Sequence, residues 1–323
     1  MIRYIHLRQF SSCGLKFIDT TDLCTDDIHR ILWASLDLKA HSQTLGKPLV
    51  NRRVTLLCQR QCGCINFVVQ SALKNLGADL RLMVAPRWEL SRYRRDVGRF
   101  HSLYSDLILV QSRNHKRVCE LVDGANATPV VNISSHMFTP LHGLGLLATL
   151  QEHFGHLDGL TVAWLGPLGN HLNTLLYLLP KLIQFKVGVH LRYNCSPRPD
   201  HPGSPIVKQR SLSICETHNT SIQELRDPAE TIRGADVIAT AKHRRETVRI
   251  ELKMTETAKN GWVFLHMLPR WEGDVCEEVF THKNSLVWKL HENIYYTTMA
   301  VVMGLLENYK PTMSKPNFGK ITH

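Results

Sequence analysis

Apolar and polar positions alternate between a helical and an extended period along most of the chain. The stretch "TDDIHRILWASLDLK" sets Ile28, Ile31, Leu32 and Leu36 at helical spacing behind Asp26 and Asp27, with Thr25 as the expected cap residue. "RVTLL" (53–57) reads as a strand. Beyond it, Ile65, Val68, Val69, Ala72, Leu73 and Leu76 make one apolar helix face, ended by Gly77. "LRLMVA" (80–85) is the next strand and closes a βαβ unit. "DLILVQ" (106–111) and "PVVNIS" (129–134) are strand-like, with a helical stretch around 116–122 between them.

"HGLGLLATLQEHFG" starts a longer helix, and a second series follows. "LTVAWLG" is a strand, "NHLNTLLYLLPKLIQF" a helix and "GVHLRYN" a strand. "ADVIAT" and "WVFLHML" are two more strands, and an amphipathic helix lies around 297–307. The prolines of "SPRPDHPGSP" (196–205) mark a loop. Strands alternating with helices predict an α/β chain of two Rossmann-like domains with parallel sheets.

Composition changes this picture little. With 43% hydrophobic and 21% charged residues over 323 positions, the chain reads as globular and long enough for two domains. The longest apolar run, 172–185, is broken by Pro180 and Lys181 and falls short of the roughly 20 residues of a membrane span, so no membrane partner is expected. Nine cysteines, an odd number, favour reduced thiols in an intracellular compartment. The first 16 residues carry Arg3, Arg8 and Lys16, two serines and no acid, a bias shared by short mitochondrial presequences and by merely basic termini. A formal charge of +11 points to anionic partners, a small-molecule anion among them. Its densest segment, 86–99, lacks the interleaved aromatics of a single-strand binder and reads as a solvated cationic face.

The densest chemistry is "LLCQRQCGCINF" (56–67), where Cys58, Cys62 and Cys64 follow a strand and open a helix. The spacing C-x3-C-x-C is not that of structural zinc, which takes about four ligands, commonly in C-x2-C pairs. Metal binding, redox sensing and incidental substitution are the readings left open, and a helix N-terminus beside Arg60 would favour thiolates at Cys62 and Cys64.

Several stretches resemble a known family. "TPVVNISSHMFTPLHGLGLLATLQEHFGHLDGLTVAWLG", "GWVFLHMLPR", "EEVF", "NSLVWKLHEN" and "TMAVVMGLLENYKP" are similar to vertebrate ornithine carbamoyltransferase, in that family's order from about Leu15 to Phe318. The resemblance implies a possible targeting segment at 1–14, a carbamoyl-phosphate-type domain at 15–143 and an ornithine-type domain at 144–294. Residues 295–323 would be a C-terminal helix and tail returning to the first domain. It further implies a homotrimer in the mitochondrial matrix (the cytoplasm is the alternative) and no cofactor or metal. The implied reaction makes citrulline and phosphate from carbamoyl phosphate and ornithine.

That reaction needs a held phosphate dianion and fixed donors for a developing oxyanion, tasks suited to arginine at a helix N-terminus. The family's S-T-R-T-R cradle is matched here by Cys62, Gly63, Cys64, Ile65 and Asn66, with Arg60 just upstream. Gln111 stands for a strand-end arginine, and Thr139, Pro140, Leu141 and His142 for H-P-x-Q. Ile294 replaces a further arginine, and H-C-L-P becomes His266, Met267, Leu268 and Pro269. On the ornithine side, D-x-W-x-S-M-G becomes Thr240, Ala241, Lys242, His243, Arg244, Arg245 and Glu246, while Asn170 persists. A hydrogen bond to a charged group contributes about 1.5–3 kcal/mol, so losing several removes on the order of 5–10 kcal/mol of ligand and transition-state binding. The expectation is a folded pseudoenzyme, alone as a trimer or mixed with an active relative. The competing readings are a transcarbamylase of altered, anionic substrate and a basic nucleic-acid-binding module supported by charge alone.

Overall fold

The computed structural model describes residues 16–21, 23–59, 63–85, 88, 92–182, 188–195, 205–218, 220–242 and 248–319. Its contacts divide the chain into two units, 1–144 with 294–315 and 145–293 with 316–323.

In the first unit, strands and helices alternate as β1 (Lys16–Phe17), α1 (Thr25–Ala40), β2 (Arg53–Cys58), α2 (Cys64–Asn75), β3 (Asp79–Val84), α3 (Arg94–Tyr104), β4 (Leu107–Gln111), α4 (His115–Gly124) and β5 (Val130–Ser134). The strands form one parallel sheet in the order β1-β5-β4-β2-β3. Central β2 and β4 are almost wholly buried, as expected of strands covered on both faces. Helix α1 starts at Thr25, one residue earlier than a Thr25 cap requires. The cap is Cys24, whose N–H and thiol both face the Asp27 carboxylate, at 3.5 and 3.2 Å.

Two features of this unit have no counterpart in the apolar pattern. Helices α3 and α4 meet through glycines: a Cβ on Gly98 would lie 2.0 Å from the Leu121 oxygen, and one on Gly124 only 1.8 Å from the Arg95 oxygen. Gly98 is the one buried residue of α3, which leaves Phe100, Leu103 and Tyr104 facing outward. The second feature is Asp37, fully buried on α1. Its carboxylate accepts from the Tyr309 hydroxyl, from the Thr312 N–H and hydroxyl at 3.1 and 3.2 Å, and from the Met313 N–H at 2.8 Å.

Helix α5 (Pro140–Phe154) leads into the second unit, with β6 (Thr161–Leu165), α6 (Asn170–Leu178), β7 (His190–Asn194), α7 (Pro205–Thr217), β8 (Ile222–Glu224), α8 (Pro228–Ile232), β9 (Val237–Ala241), α9 (Leu252–Thr255), β10 (Val263–Met267) and α10 (Glu277–Phe280). Its parallel sheet runs β10-β9-β6-β7-β8. The long helix expected over "NHLNTLLYLLPKLIQF" stops at Leu178 and tightens into a 3-10 turn at Leu179–Lys181, because Pro180 cannot donate to the helical ladder. The last helix, α11 (Val287–Leu306), begins ten residues before the expected amphipathic stretch. By contacts, residues 294–315 group with the first unit. The tail from 316 groups with the second instead, where the Phe318 oxygen accepts from the Leu157 N–H and the Asn317 oxygen from Gln151.

Candidate functional sites at the two switch points

In an open parallel sheet, ligands bind outside the carboxyl ends of the strands, where successive connections leave in opposite directions. In the first sheet that point lies between β2 and β4, since β2 connects outward to β3 whereas β4 connects the other way to β5. A cavity of about 230 Å³ sits there, lined by Gln59, Gln111, Ser112, Arg113, Ser134, Ser135 and His136.

Its polar groups are organised by short contacts. The Asn66 amide donates to Gln111 Oε1 at 3.0 Å, which turns the Gln111 amide nitrogen toward Gly63; a Cβ at Gly63 would lie 3.7 Å from it. Gln59 spans the strand ends, its N–H donating to the Gln111 oxygen (3.3 Å) and its Oε1 accepting from the Arg113 N–H (3.2 Å). The His115 N–H donates to His136 Nδ1 at 3.1 Å, so a neutral His136 carries its proton on Nε2.

Gly63 thus approaches Gln111 at the first switch point, while Cys64 and Ile65 are the first two residues of α2. Thr139 and His142 do not line the cavity; they bond each other at 2.7 Å around the start of α5. Ile294 is fully buried on α11. Arg60, Cys62, Arg244 and Arg245 lie outside the described residues. Cys58 is buried at the end of β2, and burial pushes its thiol up to about 11, so it is a core residue rather than a reactive one. Among the described residues, no group of three or more His, Cys, Asp or Glu side chains could hold a metal ion.

The second switch point falls between β6 and β9. The Thr240 hydroxyl on β9 donates to the Leu165 oxygen at the end of β6, and Asn170 opens α6 across the Gly166–Gly169 loop. Next to β9, β10 ends in the fully buried His266 and in Met267. The thioether of Met267 therefore fills core volume.

His266 does not hold the following turn directly. Its Nε2 lies 3.1 Å from Asp274 Oδ2, and that oxygen also accepts the Trp271 N–H at 2.7 Å. The turn is held a second time by His291 on α11, whose Nε2 is 3.3 Å from both the Leu268 N–H and the His266 oxygen. Enclosure, followed by the neighbouring His266 and His291 rings, drives His171 down to about 3, and burial also lowers His291.

Sequence reasoning missed Asp274, His171 and His291 here, and Gln59, Arg113 and Ser134–His136 in the first unit. Their signal was position: most stand immediately after a strand end, or within one turn of the candidate motif.

Two parallel five-stranded sheets, each with its polar crest at a switch point, define a two-domain α/β protein of the transcarbamylase type. Residues 158–305 match the family model for the aspartate/ornithine carbamoyltransferase Asp/Orn binding domain. Mitochondrial ornithine transcarbamylase of Gallus gallus is 28% identical over 94% of this chain and 89% of its own length. The mitochondrial ornithine carbamoyltransferase of Aquarana catesbeiana is 26% identical over 94% and 90%. The solved ornithine carbamoyltransferase of Pyrococcus furiosus shares the fold at a TM-score of 0.83 and 22% identity, covering 92% of this chain and 99% of that one. The chain is a homologue of the aspartate and ornithine carbamoyltransferases, with that family's Asp/Orn binding domain matched over residues 158–305.

Proposed function

We propose that this chain is a catalytically silent ornithine carbamoyltransferase homologue, a folded scaffold that does not convert carbamoyl phosphate and ornithine to citrulline. The observation that carries the reading is the Asn66–Gln111 carboxamide pair at the start of α2. The family resemblance puts guanidinium groups at the Cys64, Asn66 and Gln111 positions, where they would grip phosphate bidentately. A carboxamide brings neither the charge nor the fork. Met267 and Thr240, in place of a thiol and a carboxylate, extend the same pattern to the second unit.

The scaffold would assemble with copies of itself, or with an active relative, through the first unit. Supporting this are the outward Phe100, Leu103 and Tyr104 of α3 and the exposed Met83 and Val84 of the edge strand β3. Nucleic acid is disfavoured because Arg94 and Arg95 already pair with Glu120 and Asp123. A mitochondrial location follows the two vertebrate relatives. Thermal unfolding with carbamoyl phosphate tests the lost cradle: the melting temperature should stay unchanged at concentrations that saturate an active relative. A clear rise would contradict the reading.

A further inference from the structure

One half of the second sheet is built as β6-α6-β7-α7-β8, with its strands side by side in the order β8-β7-β6. In doubly wound folds a half of this kind holds a mononucleotide beyond the carboxyl ends of its strands. A cavity of about 880 Å³ lies at the carboxyl ends of β7 and β8, on the far side of β6 from β9 and β10. Small-molecule sites run from roughly 300 to 1,000 Å³, so this one is large enough for a nucleotide.

The groups lining it are of three kinds. Leu212 of α7, with Ile222, Leu225 and Pro228, supplies an apolar wall, and Leu212 is 41% exposed. Glu224 ends β8 as an organised acceptor: its Oε2 takes the hydroxyl of buried Tyr193 at 3.1 Å and the Lys208 ammonium at 2.6 Å. Lys208 above all, against the opposing effect of burial, holds that carboxyl below its usual range, so it stays ionised. Its Oε1 has no partner among the described residues. Asn194 ends β7 with its amide nitrogen donating to the Leu225 and Arg226 oxygens, both at 2.9 Å, which leaves Oδ1 as a second open acceptor. The third kind is a free cation. Nearby, Arg233 pairs with Glu230 and Arg192 donates to the Arg233 oxygen, whereas the exposed Arg226 guanidinium has no partner among the described residues.

We propose that this cavity binds a nucleoside 5′-phosphate. Arg226 takes the phosphate through its planar fork, Glu224 Oε1 and Asn194 Oδ1 accept from the ribose hydroxyls, and the base covers the wall around Leu212. Lys208 and Arg226 against Glu224 leave one positive charge at the cavity, which suits an anion. Inorganic phosphate would use only the cation, and an apolar carboxylate would leave both acceptors unmatched. Tyr193 and Lys208 act through Glu224 and are positioning residues. The site is separate from both switch points, and the proposal holds whether or not the chain transfers carbamoyl groups.

The test is isothermal titration of the full chain with AMP, UMP, adenosine, 2′,3′-dideoxyadenosine 5′-phosphate and inorganic phosphate. Wild type should bind AMP or UMP, with AMP about tenfold tighter than adenosine and tighter than inorganic phosphate. Arg226→Gln should erase the gap between AMP and adenosine and leave adenosine itself unchanged. Loss of the ribose hydroxyls should weaken the dideoxy nucleotide severalfold in wild type, and Glu224→Gln should narrow that difference. Leu212→Asp, which sets a carboxylate on the exposed wall, should weaken AMP about tenfold without lowering the melting temperature. No heat with either nucleotide, inorganic phosphate binding as tightly as AMP, equal binding of AMP and its dideoxy form, or an AMP affinity indifferent to Arg226→Gln would overturn the proposal.

Discussion

Replacing Asp37 by alanine removes a buried carboxylate that accepts four hydrogen bonds in the first unit. The side chain has no solvent exposure and accepts from Tyr309, from Thr312 twice and from Met313, fastening 309–313 onto α1. Hydrogen bonds to a charged group contribute about 1.5–3 kcal/mol each, and an orphaned buried donor costs about 1–3 kcal/mol, but such terms in one network do not add. A loss of about 3–5 kcal/mol follows, on the order of 10 °C in the melting temperature of a unit this size.

Burial alone would raise the Asp37 carboxyl, yet the Tyr309 hydroxyl and the Met313 and Thr312 donors outweigh it and hold the group below the usual carboxylate range. A depressed folded value means the stabilisation is complete above the unfolded value of about 3.9 and is lost as pH falls through the folded one. Urea unfolding of wild type and Asp37→Ala at pH 7 and in steps toward pH 3 reads both effects, the gap between them narrowing on acidification. A loss below about 1 kcal/mol at pH 7, or a gap that widens toward pH 3, would mean that an ionised Asp37 does not fasten 309–313 onto α1.

Further outcomes are expected elsewhere in the fold. Gly98→Ala should destabilise the first unit by about 1–3 kcal/mol in urea unfolding, since its Cβ would collide with the Leu121 oxygen. His171, neutral in the folded chain down to about 3, is protonated on unfolding below about 6.5. Stability should therefore decline as pH falls from 6.5, and His171→Leu should flatten that slope in thermal unfolding. With a thiol-reactive disulfide reagent and peptide mapping, exposed Cys64 should be modified in the native chain and buried Cys58 only after unfolding.

Much of the architecture was legible because parallel sheets buried on both faces write themselves as continuous apolar runs. "RVTLL", "DLILVQ", "LTVAWLG" and "WVFLHML" each became a strand of the expected sheet. What the pattern hid depends on partners distant along the chain or on small residues. Gly98 and Gly124 pack helices by what they lack, so α3 buries a glycine and turns its aromatics outward, the reverse of a normal apolar stripe. Asp37 sits in a helical run as an ordinary polar position, and only its meeting with Tyr309, Thr312 and Met313 makes it structural.

Of the positions carried by motifs, Gly63 to Ile65, Gln111, Thr240 and His266 fall at strand ends or helix starts. Thr139 and His142 form a pair away from the cavity, because a threonine and a histidine three residues apart around a helix start satisfy each other. Asp274 and His291 belong to no motif, and only the folding of the loop after β10 brings them to His266.

Whether the scaffold is silent is read from steady-state citrulline formation. Purified chain, supplied with carbamoyl phosphate and ornithine at concentrations saturating for an active relative, is expected to form citrulline no faster than the buffer control. Turnover within about tenfold of that relative, a deficit of only about 1.4 kcal/mol in the barrier, would contradict the account.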